Sequence, residues 1–350
     1  MVGRVTVPAP RGGGSTPAPA APRLAHIAAQ AKVSEATVSR VLNGKAGVAA
    51  GTRQRVLAAL DVLGYERPVR LKQRSAGLIG LVTPELTNPI FPAFAQVIEQ
   101  TLAGHGFTPL LCTQIPGGAT EDELVEQLVE RGVDGIVFLS GLHSDLSTDP
   151  ARYEALTARG VPYVLINGYN EAVTAPFVST DDRAAAQMAV AHLRELGHTR
   201  VGLAVGPVRY VPSHRKREGF IAATGSAELV QHTLFSVEGG QAAAGSLLDA
   251  GCTGVVCGSD MMALGVIRAA RDRGLRVPED VSVVGYDDSP LTPFTDPPLT
   301  TVRQPVQAMA TAAVGALLEE IRGSAVAVGR TEFVFQPELV VRGSTGQVRG

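Results

Sequence analysis

The chain has 350 residues, 45% hydrophobic and 18% charged, a balance that suits a globular protein of two or three domains. No apolar run is long enough for a membrane helix, and the Pro-, Gly- and Ala-rich start, with Arg4 and Arg11 but no continuous apolar stretch, argues against a secretory signal. The net charge of −2 conceals an asymmetry: residues 1–75 hold 12 Lys+Arg and 3 Asp+Glu, residues 76–350 hold 19 and 30, so a basic head precedes an acidic body.

In chain order, residues 1–22 read as a disordered leader. Three short helical patterns follow. Leu24, Ile27, Ala28 and Ala31 repeat at helical spacing. Ser34 is an N-cap candidate for Glu35 to Leu42, which Asn43-Gly44 closes. Thr52 is placed to cap a third helix, with Val56, Leu57, Leu60 and Leu63 as its apolar stripe and Gly64 as its end. Two helices joined by a tight turn and backed by a third make a helix-turn-helix unit. Charge alone fits a DNA-binding head or a solvated basic tail equally well.

Glu66 to Ser75 is polar and basic, with Pro68, and reads as a linker. Beyond it, Leu78–Thr83, Pro109–Thr113, Gly135–Leu139, Tyr163–Ile166, Val201–Val205, Gly254–Cys257 and Ser282–Tyr286 are short apolar runs without alternation, the mark of parallel strands covered on both faces. Amphipathic helices such as Arg183–Leu196 and Met261–Arg273 lie between them. The pattern predicts a doubly wound α/β body, and its length predicts two lobes. No repeat between the halves is visible in the sequence. Cys112, Cys252 and Cys257 are not at metal-ligand spacing and read as small buried apolar residues in a reducing cytoplasm. No cofactor and no metal are expected.

Ala31 to Asn43, read as A-K-V-S-E-A-T-V-S-R-V-L-N, resembles the head of the LacI/GalR repressors, whose pattern is A-G-V-S-x-x-T-V-S-R-V-L-N. The body agrees in Gly197-His198-Thr199-Arg200, in Val277-Pro-Glu-Asp-Val-Ser-Val-Val-Gly-Tyr-Asp-Asp288 and in Pro298-Leu-Thr-Thr-Val-Arg-Gln-Pro305. The resemblance spans nearly all of residues 24–343. It implies an all-α helix-turn-helix head on an α/β body of two doubly wound lobes, similar to a type I periplasmic sugar-binding protein, with three crossovers between the lobes. The expected divisions are a leader at 1–22, a DNA-binding domain at 23–65, a linker or hinge at 66–76, a two-lobed effector and dimerisation domain at 77–343, and a tail at 344–350. The N-lobe is expected at about 77–179 and 304–327, and the C-lobe at about 180–303 and 328–343. A homodimer is implied too, on a near-palindromic operator whose two half-sites match a two-fold axis.

By match to that family, Glu35, Ala36 and Arg40 reach base edges. Glu can accept from cytosine N4, Ala can touch a thymine methyl, and Arg can pair bidentately with guanine. Ser34, Thr37, Ser39 and Asn43 are expected at the duplex as well, Thr37 and Ser39 as phosphate donors, with Arg53 and Arg55 as weaker phosphate candidates. Val38, Val41 and Leu42 should face the head's own core. Lys32 replaces the family's turn glycine, Arg23 stands where the family often has a capping Thr, and the A-R-S-L hinge motif is absent. Leu71, between Arg70 and Lys72, is the candidate minor-groove wedge; the alternative is a flexible basic tether.

Ligands of such lobes sit beyond the carboxyl ends of the strands. The candidates there are Asn88, Ile90 and Phe91 after the first body strand, Asn167, the cations Arg215 and Lys216, Ser259, and Asp287. Which cation clamps the ligand stays open, Lys216 holding the family position. Asp260 could cap a helix or reach ligand. Gln241 lies near the family's stacking aromatic, and its polarity argues against a face-stacked ring. Amide, hydroxyl, carboxylate and cation together suit a sugar or a related polyhydroxylated or carboxylated metabolite. An enzyme is disfavoured, because no G-x-G-x-x-G follows an early strand and no Walker loop is present. The pair Asp181-Asp182 abuts a helix start, and His198 reads as structural. A transport binding protein would fit the body but not the basic head or the missing export signal.

Overall fold

A computed structural model describes residues 24–42, 48–63, 76–114, 117–323 and 331–348. The chain divides into two compact units, Met1–Arg74 and Ser75–Gly350. The leader 1–22, Arg23, Asn43-Gly44, Gly64 and residues 66–75 of the linker, Leu71 among them, lie outside the described residues.

The first unit contains α1 (Leu24–Ala31), α2 (Glu35–Leu42) and α3 (Ala50–Val62). Ile27, Ala28, Ala31, Val38, Val41, Val56, Ala59 and Leu60 form its core, with Leu42, Leu57 and Leu63 packed against it, so the apolar positions read from the sequence meet, except Leu24, which is exposed. The turn between α1 and α2 is tight. Lys32 has φ +52, the left-handed conformation for which the family's glycine is suited and which costs a lysine about 1 kcal/mol. The Ser34 hydroxyl accepts from the Thr37 amide at 3.2 Å, as an N-cap should. Thr52 is not a cap. The helix starts two residues earlier, and the Thr52 hydroxyl accepts instead from Arg55.

The second unit begins with β1 (Gly77–Thr83), α4 (Ile90–Gly104), β2 (Phe107–Thr113), α5 (Glu121–Glu130), β3 (Gly135–Leu139), α6 (Ala151–Ala158), β4 (Tyr163–Ile166) and β5 (Phe177–Thr180). The chain then crosses into α7 (Asp182–Glu195), β6 (Val201–Val205), α8 (Val211–Thr224), β7 (Val230–His232), α9 (Val237–Asp249), β8 (Gly254–Cys257), α10 (Asp260–Asp272), β9 (Ser282–Asp287) and β10 (Thr300–Arg303). It returns through α11 (Val306–Ile321) to β11 (Glu332–Phe335) and crosses once more to β12 (Glu338–Val340). The two sheets run β2-β1-β3-β4-β5-β11 and β7-β6-β8-β9-β10-β12. The order is the same in both lobes, a structural repeat that the sequence conceals. Every named pair is parallel except β10 with β12. The burial patterns of β3, β4, β6 and β8 are unbroken, which is why their sequences are continuous apolar runs.

Two expected boundaries need correction. The segment 328–343 does not belong wholly to the C-lobe. Glu332 to Phe335 pairs with Phe177 to Thr180 in the N-lobe sheet, and only β12 joins the C-lobe. Residues 344–348, expected as part of a tail, are bonded into the C-lobe. Ser344 is fully buried; its hydroxyl donates to Val283 O at 2.6 Å and accepts from Thr300 N at 2.8 Å. The Val348 amide donates to Leu196 O. The three cysteines are free thiols, two of them buried.

Helices α9 and α10 pack backbone to backbone. A Cβ on Gly265 would lie 1.9 Å from Val237 O, and one on Gly240 would lie 2.0 Å from Met262 O. These glycines seat the helices that flank the C-lobe side of the site.

Candidate functional site

A cavity of about 240 Å³ lies between the two lobes. Its N-lobe wall is built from the loops after β1 (Asn88, Ile90, Phe91), β2 (Gln114), β3 (Ser140, Leu142, Ser144) and β4 (Asn167). Its C-lobe wall follows β6 (Tyr210, Lys216), β7 (Phe235), β8 (Ser259) and β9 (Asp287). Both lobes thus offer the carboxyl ends of their strands, as a doubly wound sheet requires of a ligand site.

Of the eight residues expected here, seven line the cavity and one does not. Arg215 forms a two-pronged ion pair with Glu332 of β11, at 2.6 and 2.9 Å, so it ties the C-lobe helix α8 to the N-lobe sheet. Lys216 is the cation at the cavity. Its ammonium donates to Asp182 at 2.5 Å and lies 3.7 Å from the centre of the Tyr286 ring. Asp182 also accepts from the Tyr286 hydroxyl at 2.9 Å. The sequence assigned the pair Asp181-Asp182 to helix capping. That holds for Asp181, which accepts from Ala184 N, whereas Asp182 is a buried wall residue.

Asp287 is buried with φ +115, and Gln304 donates to its Oδ1 at 2.6 Å. Burial pushes its carboxyl well above the usual range, and the Asp260 carboxylate adds to the rise. Asp260 does not cap its helix. Ser259 does, by accepting from Met262 N, while Asp260 accepts from Ser289 N and Thr301 Oγ1. Burial lifts its carboxyl to about 6. The adjacent Asp288 points elsewhere, to Arg303 and Arg342. Burial opposes its ionisation, yet those hydrogen bonds hold its carboxyl below the usual range.

On the N-lobe wall, Asn167 takes φ +64 and its Nδ2 donates to Ser140 Oγ at 3.2 Å. The Asn88 side chain accepts from Ile90 N at 3.4 Å. Gln114 donates to Glu121, a buried carboxylate that also accepts from Leu142 N and the Tyr153 hydroxyl. Glu121 therefore fixes both Gln114 and the loop after β3.

Asp182, Gln304, Gln114, Tyr210 and Phe235 escaped the sequence reading. The strand-then-loop rule could have found Gln114, one residue past the end of β2, and Tyr210, but Phe235 follows a three-residue strand too short to show. Gln241 is not at the cavity; it donates to Asp272 on the outer side of α9 and α10. The aromatic wall is Phe235 with Tyr210, ring centres 6.2 Å apart, so the expectation against a stacked ring is withdrawn. His198 bonds Thr253 and Ser282 and is structural. Among the described residues, no group of three or more His, Cys, Asp or Glu is arranged to hold a metal ion, and no helix is long and apolar enough to cross a membrane.

In the head, α2 buries Val38 and Val41 and leaves Ser34, Glu35, Ala36 and Arg40 exposed, with Thr37 and Ser39 half-buried. The Ser34 and Thr37 hydroxyls bond each other at 2.9 Å. One helix face is thus fixed by packing, and the other carries the small and polar residues that a groove can admit.

Residues 23–67 match the family described as "Bacterial regulatory proteins, lacI family", and residues 190–345 match "Periplasmic binding protein-like domain". An uncharacterized HTH-type transcriptional regulator in the aml 5' region of Streptomyces limosus is 73% identical, the match covering 98% of this chain and 99% of the relative. Among solved structures, a transcriptional regulator CelR–cellobiose complex is 32% identical at a TM-score of 0.68, covering 93% of this chain and 100% of that one. The lac repressor dimer bound to operator and the anti-inducer ONPF is 27% identical at a TM-score of 0.67, covering 91% and 98%. A helix-turn-helix head with one face of its second helix exposed, a two-lobed body with a cleft cavity, and these matches along nearly the whole chain place the protein in the LacI family of DNA-binding transcription regulators, which are not enzymes.

Proposed function

We propose that the protein is a cytoplasmic repressor that binds a near-palindromic operator as a homodimer and answers to a sugar held between its lobes. The observation that carries this reading is the cavity, where Asp287, Asn167, Asn88, Lys216 and Phe235 meet from both lobes. A ligand touching both walls binds one lobe arrangement better than another, and only such differential affinity can shift DNA binding. On the head, Glu35, Ala36 and Arg40 read bases, while Ser34, Thr37 and Ser39 position the helix. Asn43 and Leu71 keep the DNA-contacting roles proposed from the sequence. The test is a gel shift of the full chain on the DNA upstream of its own gene, with and without sugars that raise its melting temperature. Retarded DNA that such a sugar releases supports the reading; absence of any retarded DNA defeats it.

A further inference from the structure

An anion taken into this cavity must meet an unpaired cation or a cluster of backbone N–H donors, because a buried charge left unpaired is far more costly than a buried neutral group. Among the described residues lining the cavity, Lys216 is the one cation, and Asp182 and the Tyr286 ring already hold it. Two guanidinium groups nearby are committed elsewhere, Arg215 to Glu332 and Arg209 to Asp145. The other ionisable side chains that line it, Glu85, Asp182 and Asp287, are all acidic.

Helix N-termini are the remaining route to an anion site, and four helices begin at the cavity. At each start a side chain or a proline already takes or removes one of the first-turn N–H groups. Ser259 accepts from Met262 N at the start of α10, and Asp181 accepts from Ala184 N at the start of α7. Asn88 accepts from Ile90 N before α4. The first turn of α8 contains Pro212, which has no N–H to give. Acidic side chains, Asp182 and Asp260, occupy the first turns of α7 and α10.

The cavity is instead equipped for hydroxyl groups. Gln114 and Asn167 each spend one N–H on a protein partner, Glu121 and Ser140 respectively, which leaves each a second N–H to donate and a carbonyl oxygen to accept, the combination that a hydroxyl group, donor and acceptor at once, can use. Asp287 adds a carboxyl group, and Tyr210 and Phe235 supply an apolar face.

We infer that the cavity selects an uncharged polyhydroxylated ligand and rejects its phosphorylated or carboxylated derivatives. The inference rests on reading the cavity as the effector site. It excludes the carboxylated metabolite that the sequence left open. It also places the effector ahead of any kinase or phosphotransferase step, so that the protein senses the free sugar and not the phosphate ester made from it.

The test is thermal-shift titration of the full chain with matched pairs: glucose and glucose 6-phosphate, trehalose and trehalose 6-phosphate, cellobiose and cellobionate. In every pair that binds, the neutral member should bind about a hundredfold more tightly. Asp182→Asn, checked for folding by circular dichroism, frees the Lys216 ammonium and should narrow that gap by about tenfold. A charged member binding wild type as tightly as its neutral partner overturns the inference, as does silence across all pairs or a gap that Asp182→Asn leaves unchanged. A neutral sugar that binds without altering retention of upstream DNA overturns the sensor reading alone and leaves the charge selectivity standing.

Discussion

Gln304 donates from Nε2 to Asp287 Oδ1 at 2.6 Å and accepts at Oε1 from Thr180 at 3.0 Å. Asp287 ends a C-lobe strand, Thr180 ends an N-lobe strand, and Gln304 lies in the segment where the chain passes from one lobe to the other. A ligand hydroxyl bound by Asp287 is therefore one hydrogen bond away from a crossover, the place where relative lobe movement must be absorbed.

Asp287→Ala should abolish the response to effector and leave operator affinity largely intact. Hydrogen bonds to ligand hydroxyls are each worth about 0.5–1.5 kcal/mol when the carboxyl is neutral and about 1.5–3 kcal/mol when it is ionised, so losing two weakens ligand binding by about tenfold or more. Calorimetry with the sugar that releases DNA from wild type checks this. Unchanged ligand affinity in the variant would reduce Asp287 to a turn residue.

Arg40→Ala should weaken specific DNA binding by about 1–3 kcal/mol and relax the preference at one base pair per half-site. Arg40 is exposed in the last turn of α2, opposite the packed Val38 and Val41. Binding measured on operator and on random DNA separates the roles: an equal loss on both makes Arg40 a phosphate contact only.

Operator affinity should fall steeply and log-linearly with salt, because the basic residues 1–75 neutralise phosphates and release the counterions condensed on the DNA. Titration at several salt concentrations gives the slope. A flat slope rules out the head as the source of the affinity.

His143 should make the N-lobe acid-sensitive. It is buried beside the cavity wall, its Nε2 bonds Ile166 O at 2.9 Å, and its Nδ1 has no partner. Burial lowers its pKa from 6.5 to about 4. The unfolded chain thus binds this proton more readily, so the histidine's stability is fully present above pH 6.5 and is lost as pH falls toward 4, by up to about 3 kcal/mol. Denaturant unfolding at pH 7.5 and pH 4.5 should show a smaller loss for His143→Gln than for wild type. Equal losses would remove His143 as the cause.

Gly265→Ala should destabilise the C-lobe by about 1–3 kcal/mol, since the new methyl would meet Val237 O across the α9–α10 contact. Gly315→Ala, on a helix with open space at that position, is the control. Comparable melting temperatures for both variants would show that the helices separate freely.

By itself the sequence determined the elements that local periodicity and apolar runs encode. The three head helices, the strands β3, β4, β6 and β8 with their bounds, and the wall residues Asn88, Ile90, Phe91, Asn167, Lys216, Ser259 and Asp287 were all legible, because each site residue follows a recognisable strand or sits in a family motif. Tertiary structure alone decided the pairings. The family position favoured Lys216 but left Arg215 open; what decides between them is that Glu332, over a hundred residues later, comes to face the first and Asp182 the second. The edge strands β7, β11 and β12 are three or four residues long and each contains a polar residue, so none is a continuous apolar run like β4 or β8, and their places and the shared strand order of the lobes appear only once the sheets are assembled. Phe235 reached the cavity for the same reason: its position depends on where a short edge strand docks, and that is set by contacts far away in the chain.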